Sequence, residues 1–393
     1  MVWKIAFLFS LTIAYARERG PQYRGMQVDA MGRSGTASVS GVSALFLNPA
    51  GLAGLEGAGL ETSGDVGINN ELLDYADWVS KNSSALNHFD SLLNSIAAIE
   101  NKWASISNVY YAQGYYQGIA ISVVRDVRYD VSLGKAVILP KLGAGMLSDF
   151  QVAAGRGFEL SPGWSAGFTL KYIDRQYFED RLLGENDDQY YTVKTRWQDS
   201  SNALLDKLNK IEVASEIAPH EHGVGANFGV THSLANGFSL GASVLDLPTF
   251  LDGEWVYPQL NVGGSYSNDF GALKQEEGWK HPNVLRFNLV INLDWQIPLT
   301  RFQAVNNDGE LQFPVVSSDQ WFKQWKTGLA LECWARRRQI GFVSAGLNDG
   351  YPVFGARIGY ILHAYYLSTA EEMGEYPGQE KRSFQRFGID VDI

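Results

Sequence analysis

The sequence predicts an all-β fold, an antiparallel barrel whose strands cross a membrane. Three observations predict it: long segments in which apolar and polar residues alternate with period two, glycine- and asparagine-rich turns between them, and an apolar N-terminus of export type ahead of them.

The N-terminus comes first. Lys4 supplies a positive charge, Ile5 to Ala14 form an apolar run, and Ala14-Tyr15-Ala16 places small residues where a signal peptidase reads them. The pattern predicts a signal peptide over 1–16, with Arg17 opening the mature chain and Glu18 and Arg19 following. The run is too short to span a bilayer as a helix, and no later segment approaches the ~20 apolar residues that a spanning helix needs. A composition of 45% hydrophobic residues with mean hydropathy −0.15 suits a soluble protein and a membrane barrel equally, because barrels spread apolar residues over alternate positions.

The strands carry the fold. From Trp164 the positions Trp164, Ala166, Phe168, Leu170 and Tyr172 interleave with Ser165, Gly167, Thr169 and Lys171. The same period recurs in Val224, Ala226, Phe228, Val230, and in Phe238, Leu240, Ala242, Val244. Leu285, Phe287, Leu289, Ile291, Leu293 and Trp295 are its clearest instance. A soluble-domain strand usually runs about five or six residues, whereas one that crosses the hydrocarbon at a tilt needs ~9–11. Further strands are predicted over Gly118 to Arg125, Asp149 to Leu160, Thr327 to Ala335, Val353 to Ile361 and Phe384 to Ile393.

Ser161-Pro162-Gly163, Ala235-Asn236-Gly237 and Asn348-Asp349-Gly350 predict tight hairpins, hence antiparallel neighbours. The 181–218 connection is much longer, and short turns at one end with long loops at the other fit an outer-membrane barrel. The second face of each strand is Gly, Ser, Thr and Asn with occasional charges, which suits a polar or plugged lumen. Tyr110-Tyr111, Tyr115-Tyr116 and Tyr365-Tyr366 are expected near strand ends, where interfacial aromatic girdles sit.

Between the leader and the first strands lies a Gly-, Ser- and Ala-rich stretch from Met31 to Ala53, which permits close backbone packing. It contains Asn48-Pro49-Ala50-Gly51, in which Asn-Pro forms a turn and fixes φ. This stretch resembles the start of mature FadL-like outer-membrane proteins, transporters of long-chain fatty acids and hydrocarbons, where a glycine-rich lead precedes an Asn-Pro-Ala element. PorV-type and TraF-like relatives have a similar lead. Gly346 to Pro352, with Tyr365-Tyr366 and Glu371-Glu372, looks like uncharacterised spirochaete-type relatives. The resemblance implies about 14 strands, a plug over 17–60 with Asn48, Pro49, Ala50 and Gly51 as its motif, a barrel over 61–393, and lateral exit of a greasy ligand through the wall. Ile393 departs from the aromatic last residue common in such barrels, although Phe387, Ile389, Val391 and Ile393 keep the alternation.

Two small helical insertions are predicted. Phe89, Leu92, Leu93, Ile96 and Ile99 place one near 86–104; Asp199-Ser200 could cap another near 199–217, bearing Leu204, Leu205, Leu208 and Ile211.

Several function classes drop out. Cys333 is the single cysteine, which excludes an intrachain disulfide and a zinc site built on cysteine pairs. A net charge of −11, concentrated in stretches such as Glu185 to Asp188, argues against a nucleic-acid partner. His220-Glu221-His222 would put two imidazoles on one face of a strand, but two ligands alone rarely make a metal site, so no metal or other cofactor is expected. No serine, histidine and acid combination marks an enzyme, and Arg336-Arg337-Arg338 reads as a solvated turn.

The sequence therefore predicts an outer-membrane barrel whose partners are membrane lipid and hydrophobic small molecules, taken up passively past the plug. A closed barrel that docks a secreted protein through its long loops is the alternative, and an open water-filled porin stands behind both.

Overall fold

The structure is a computed structural model. It describes residues 16–17, 25–83, 95, 97–99, 102–136, 139–178, 220–252, 254–256, 258–270, 285–298, 321–335, 338–372 and 381–393. Residues 1–15, most of the expected signal peptide, lie outside the described residues, as does the helix expected near 199–217.

The wall is a closed antiparallel barrel of 14 strands. In chain order they are β1 (Ala58–Asn69), β2 (Trp103–Tyr116), β3 (Ile119–Ala136), β4 (Leu139–Ser161), β5 (Trp164–Phe178), β6 (His220–Ser233) and β7 (Phe238–Leu245). There follow β8 (Gln259–Phe270), β9 (Leu285–Pro298), β10 (Trp325–Ala335), β11 (Arg338–Asn348), β12 (Tyr351–Gly359), β13 (Leu362–Glu372) and β14 (Lys381–Asp392). Each pairs with the next, and β14 closes on β1 from Phe384↔Asn69 to Asp392↔Glu61. Closure leaves no strand edge, the condition for a sheet to cross hydrocarbon without exposing unpaired backbone. Between β7 and β8, Thr249–Leu251 continues the pairing with β6 at Gly223 to Gly225 and folds back on Glu254–Val256.

Strand direction sorts the connections. The turns 117–118, 162–163, 234–237, 336–337 and 360–361 share one end of the barrel with the entry of the N-terminal segment and with the 271–284 connection. The 70–102, 179–219, 246–258 and 299–324 connections share the other. The predicted hairpins hold the required positive φ at Gly163 (79°), Asn236 (61°) and Asp349 (51°). The Asp349 turn, however, lies at the long-loop end.

The predicted faces are the observed ones. Trp164, Phe168, Leu170 and Tyr172 on β5 point outward and are exposed, as are Phe287, Ile291, Leu293 and Trp295 on β9 and Leu329, Leu331, Val343, Phe354, Ile358, Phe387 and Ile389 further round. An apolar band that encircles the whole wall far exceeds the few-hundred-Å² patches of soluble proteins, and hydrocarbon is the solvent that suits it. No helix among the described residues is long and apolar enough to cross a membrane.

Local corrections follow. Strands β3 and β4 extend well past the segments predicted at 118–125 and 149–160, and the barrel begins at Ala58. A further helix, α1, forms over Asn70–Asn82; most of the helix expected near 86–104 lies outside the described residues, Ser95 within it is helical, and Trp103 and Ala104 belong to β2. Its start is fixed by Asn69, whose side-chain oxygen accepts from Leu72 N (2.9 Å) and from Ser105 N (2.8 Å), so one residue caps the helix and ties it to β2. Tyr110-Tyr111 lies within β2 instead of at its end. Tyr110 faces outward, while Tyr111 points into the lumen and donates to Glu61 (2.7 Å).

Candidate functional site: the plug and its seat in the lumen

Residues 25–57 fill the lumen. A short helix over Met26–Ala30, a second over Ala44–Leu47 and a 3-10 turn over Pro49–Gly54 are joined by tight turns. Leu45, Leu47, Leu52 and Ala44 are wholly buried, and Phe46 nearly so.

Asn48 organises the segment. It is extended (φ −152°, ψ 101°), and its Oδ1 accepts from Ala50 N (3.1 Å), capping the 3-10 turn that Pro49 opens. Its Nδ2 donates to Thr36 O (2.6 Å) and to Val230 O on β6 (3.1 Å). One amide thus ties the two arms of the plug to each other and to the wall. Ala50 is buried, and Gly51 is dictated by contact, because a Cβ there would sit 2.0 Å from Val39 O. The four residues of the sequence motif form one structural unit.

The wall answers with glycine. A Cβ at Gly167 on β5 would lie 2.2 Å from Pro49 O, and one at Gly229 on β6 would lie 1.8 Å from Asn48 Oδ1. At Gly241 on β7, Gly328 on β10 and Gly355 on β12 it would lie 2.4 to 2.5 Å from Thr36 O, Met31 O and Ala30 Cβ. These lumen-facing glycines let plug backbone lie directly on strand backbone.

Polar side chains satisfy the plug's backbone groups, as burial requires. Asp294 on β9 accepts three hydrogen bonds on one oxygen, from Gly35 N (2.7 Å), Thr36 N (2.8 Å) and Thr36 Oγ1 (2.7 Å). Asn227, Ser243 and Gln296 donate to the carbonyls of Leu45 (2.9 Å), Leu47 (2.6 Å) and Arg33 (2.6 Å). Ser38 donates to Asn292 (2.9 Å). The polar hold is therefore concentrated on β6 to β9.

The opposite side is apolar. Val42, Leu45, Phe46 and Leu52 of the plug form one cluster with Val109 and Tyr111 of β2, Ala120 and Val124 of β3, and Ala153 of β4. Elsewhere several of the lumen's charges are paired: Arg175 holds Asp149 through two 2.6 Å bonds, Lys171 pairs with Asp246, Lys326 with Asp349, and Arg357 with Asp390. Pairing offsets the cost of removing such charges from water.

The remaining predicted positions are surface features. His220 and His222 both point outward at the start of β6, while Glu221 turns into the lumen. Arg338 opens β11 with its guanidinium over the Tyr360 ring, and Arg336 and Arg337 lie outside the described residues. Sequence reasoning missed Asp294, Asn227, Ser243 and Gln296. Their only sequence mark is a polar residue on the inward parity of a strand.

No protein-family model matches the chain. No curated protein matches its sequence. Among solved structures the chain is similar to the Ralstonia pickettii toluene transporter TbuX (11% identity, 94% of this chain and 97% of that chain, TM-score 0.47). It is also similar to the P. putida toluene transporter TodX (10%, 94% and 97%, 0.42) and to a Pseudomonas aeruginosa FadL homologue (9%, 96% and 99%, 0.31). The sequence resemblance pointed to barrels of this kind. The toluene in two of those names belongs to those proteins.

Proposed function

We propose that this chain is a bacterial outer-membrane barrel that passes hydrophobic molecules across or out of its wall, with residues 25–57 as the gate. The observation that supports it is the asymmetry of the plug's seat: directional polar bonds on β6 to β9, and a methyl- and ring-lined seam on β2 to β4. A greasy molecule can replace side-chain contacts along that seam without stranding a buried donor or acceptor, whereas on the polar side every displacement leaves an unpaired group. Long-chain fatty acids and alkyl or aromatic hydrocarbons are the cargo class that such a seam fits.

The test is uptake of a fluorescent long-chain fatty acid and of an alkane into liposomes with and without the protein. Saturable acceleration is the expected result. Equal rates with and without the protein, for both cargo types, would overturn the reading.

The density of polar plug contacts also supports a second reading, a permanently closed barrel that docks a secreted partner. Its expected docking segment, 181–218, lies outside the described residues. A stoichiometric partner that is lost when 181–218 is deleted, together with no uptake, would favour that scaffold.

A further inference from the structure

Two imidazoles and a carboxylate converge on the outer face of the barrel at its long-loop end. His220 and His222 are two apart on β6 and so project from the same side. Their rings stack with centroids 6.1 Å apart at 19°. Asp174 on β5 is the register partner of His222, and its Oδ1 lies 3.1 Å from His220 Nδ1 and 3.6 Å from His222 Nδ1. Tyr172 OH also reaches His222 Nδ1, at 3.0 Å. Both imidazole side chains are more than half exposed (51% and 58%), so an ion has open access.

The spacing has chemical meaning. A tetrahedral zinc ion with bonds of ~2.0–2.1 Å holds its ligand atoms ~3.3–3.4 Å apart, and the two nitrogen–oxygen separations bracket that value. We propose that His220, His222 and Asp174 form a divalent transition-metal site of zinc type, with water in the fourth position. Among the described residues no three such ligands already surround a common point, so the ion gathers them by side-chain rotation. On binding, each imidazole presents a deprotonated Nδ1 and carries its hydrogen on Nε2, and the Tyr172 hydroxyl gives up His222. Asp174 and the two histidines stand at the two feet of the 179–219 segment, so the bound ion would cross-link them.

The test uses the full-length barrel in detergent, free of any histidine tag and stripped with a chelator, titrated with zinc against a chromophoric competitor. One equivalent is expected for the native protein. His222→Gln and Asp174→Asn should each weaken binding by more than about tenfold, since each removes one of three ligands. His232→Gln, away from the cluster, should bind as the native protein does. A β-sheet circular dichroism spectrum and heat-modifiable gel mobility verify that each variant is folded. Two outcomes overturn the proposal: zinc uptake no greater than that of the H220Q/H222Q double variant, or full binding in Asp174→Asn, which would mark loose chelation by exposed imidazoles.

Discussion

Asp294 is the point at which the plug's attachment can be measured. Replacing it with alanine removes the acceptor of three hydrogen bonds and leaves the Gly35 and Thr36 amides buried without a partner. Each stranded buried donor costs ~1–3 kcal/mol, so losing the two amide partners should weaken the local seat by ~2–6 kcal/mol, with the Thr36 hydroxyl free to turn elsewhere. Asp294→Asn keeps a carbonyl oxygen in place and loses only the charge assistance, a change of ~1–2 kcal/mol. Hydrogen–deuterium exchange of peptides that cover 33–38 reads the difference directly. At 1.36 kcal/mol per decade, the alanine variant should exchange there ~30- to 10⁴-fold faster and the asparagine variant roughly tenfold faster, while the strands keep native protection. Native exchange rates at Gly35 and Thr36 in Asp294→Ala would refute the latch.

Three more predictions follow from the same geometry. Asn48→Asp keeps the cap on Ala50 but sets a carboxylate against the carbonyls of Thr36 and Val230, so it should loosen the plug at least as much as Asn48→Ala, at ~2–4 kcal/mol by the same exchange assay. Gly263→Ala places a methyl 2.0 Å from Asp294 Oδ1, whereas at Gly264 the nearest atom is 3.8 Å away; only the first should unseat the plug, as protease sensitivity in 25–57 will report. Ile291→Arg puts a charge on the lipid face at ~2–4 kcal/mol near midplane, and its folding into lipid vesicles should fall well below that of the native chain.

The strands legible in the sequence were those whose outward face is filled with large apolar residues, as on β5, β6 and β9. Strand β1 was missed because its outward positions are Leu60, Thr62, Gly64, Val66 and Ile68, too thinly apolar to show a period. The far end of β3 was lost to Arg128 and Asp130, charges that a lumen tolerates by pairing, as these two do at 3.0 Å. Asn48 to Gly51 could be singled out because a turn former beside small residues is a local signal. Asp294 could not, since its partners lie more than 250 positions away in the chain. The same holds for Asp174. The histidine pair was visible, but the third group arrives from a neighbouring strand across the 179–219 segment.

The uneven seat also says where a passage would open. On β6 to β9 the plug touches the wall through backbone, against glycines that admit no Cβ, so a small slide meets either a clash or a stranded carbonyl. On β2 and β3 the contacts are methyls and rings, which are non-directional and can be exchanged for a ligand's own carbon chain, while on β4 the Leu52–Ala53 backbone also lies against Gly157. On the proposed function, movement is therefore confined to the apolar side, and the polar side acts as the hinge. Linking Ser38→Cys to Asn292→Cys with a short bis-methanethiosulfonate, whose two ends each form a disulfide with a cysteine thiolate and release a sulfinate, should leave uptake intact in a Cys333→Ser background, because that contact stays closed throughout. Ala120→Trp, which overfills the seam at a cost of ~1–3 kcal/mol, should abolish uptake while the plug remains seated. If the cross-link stops uptake and Ala120→Trp does not, the hinge and the gate have been placed on the wrong sides.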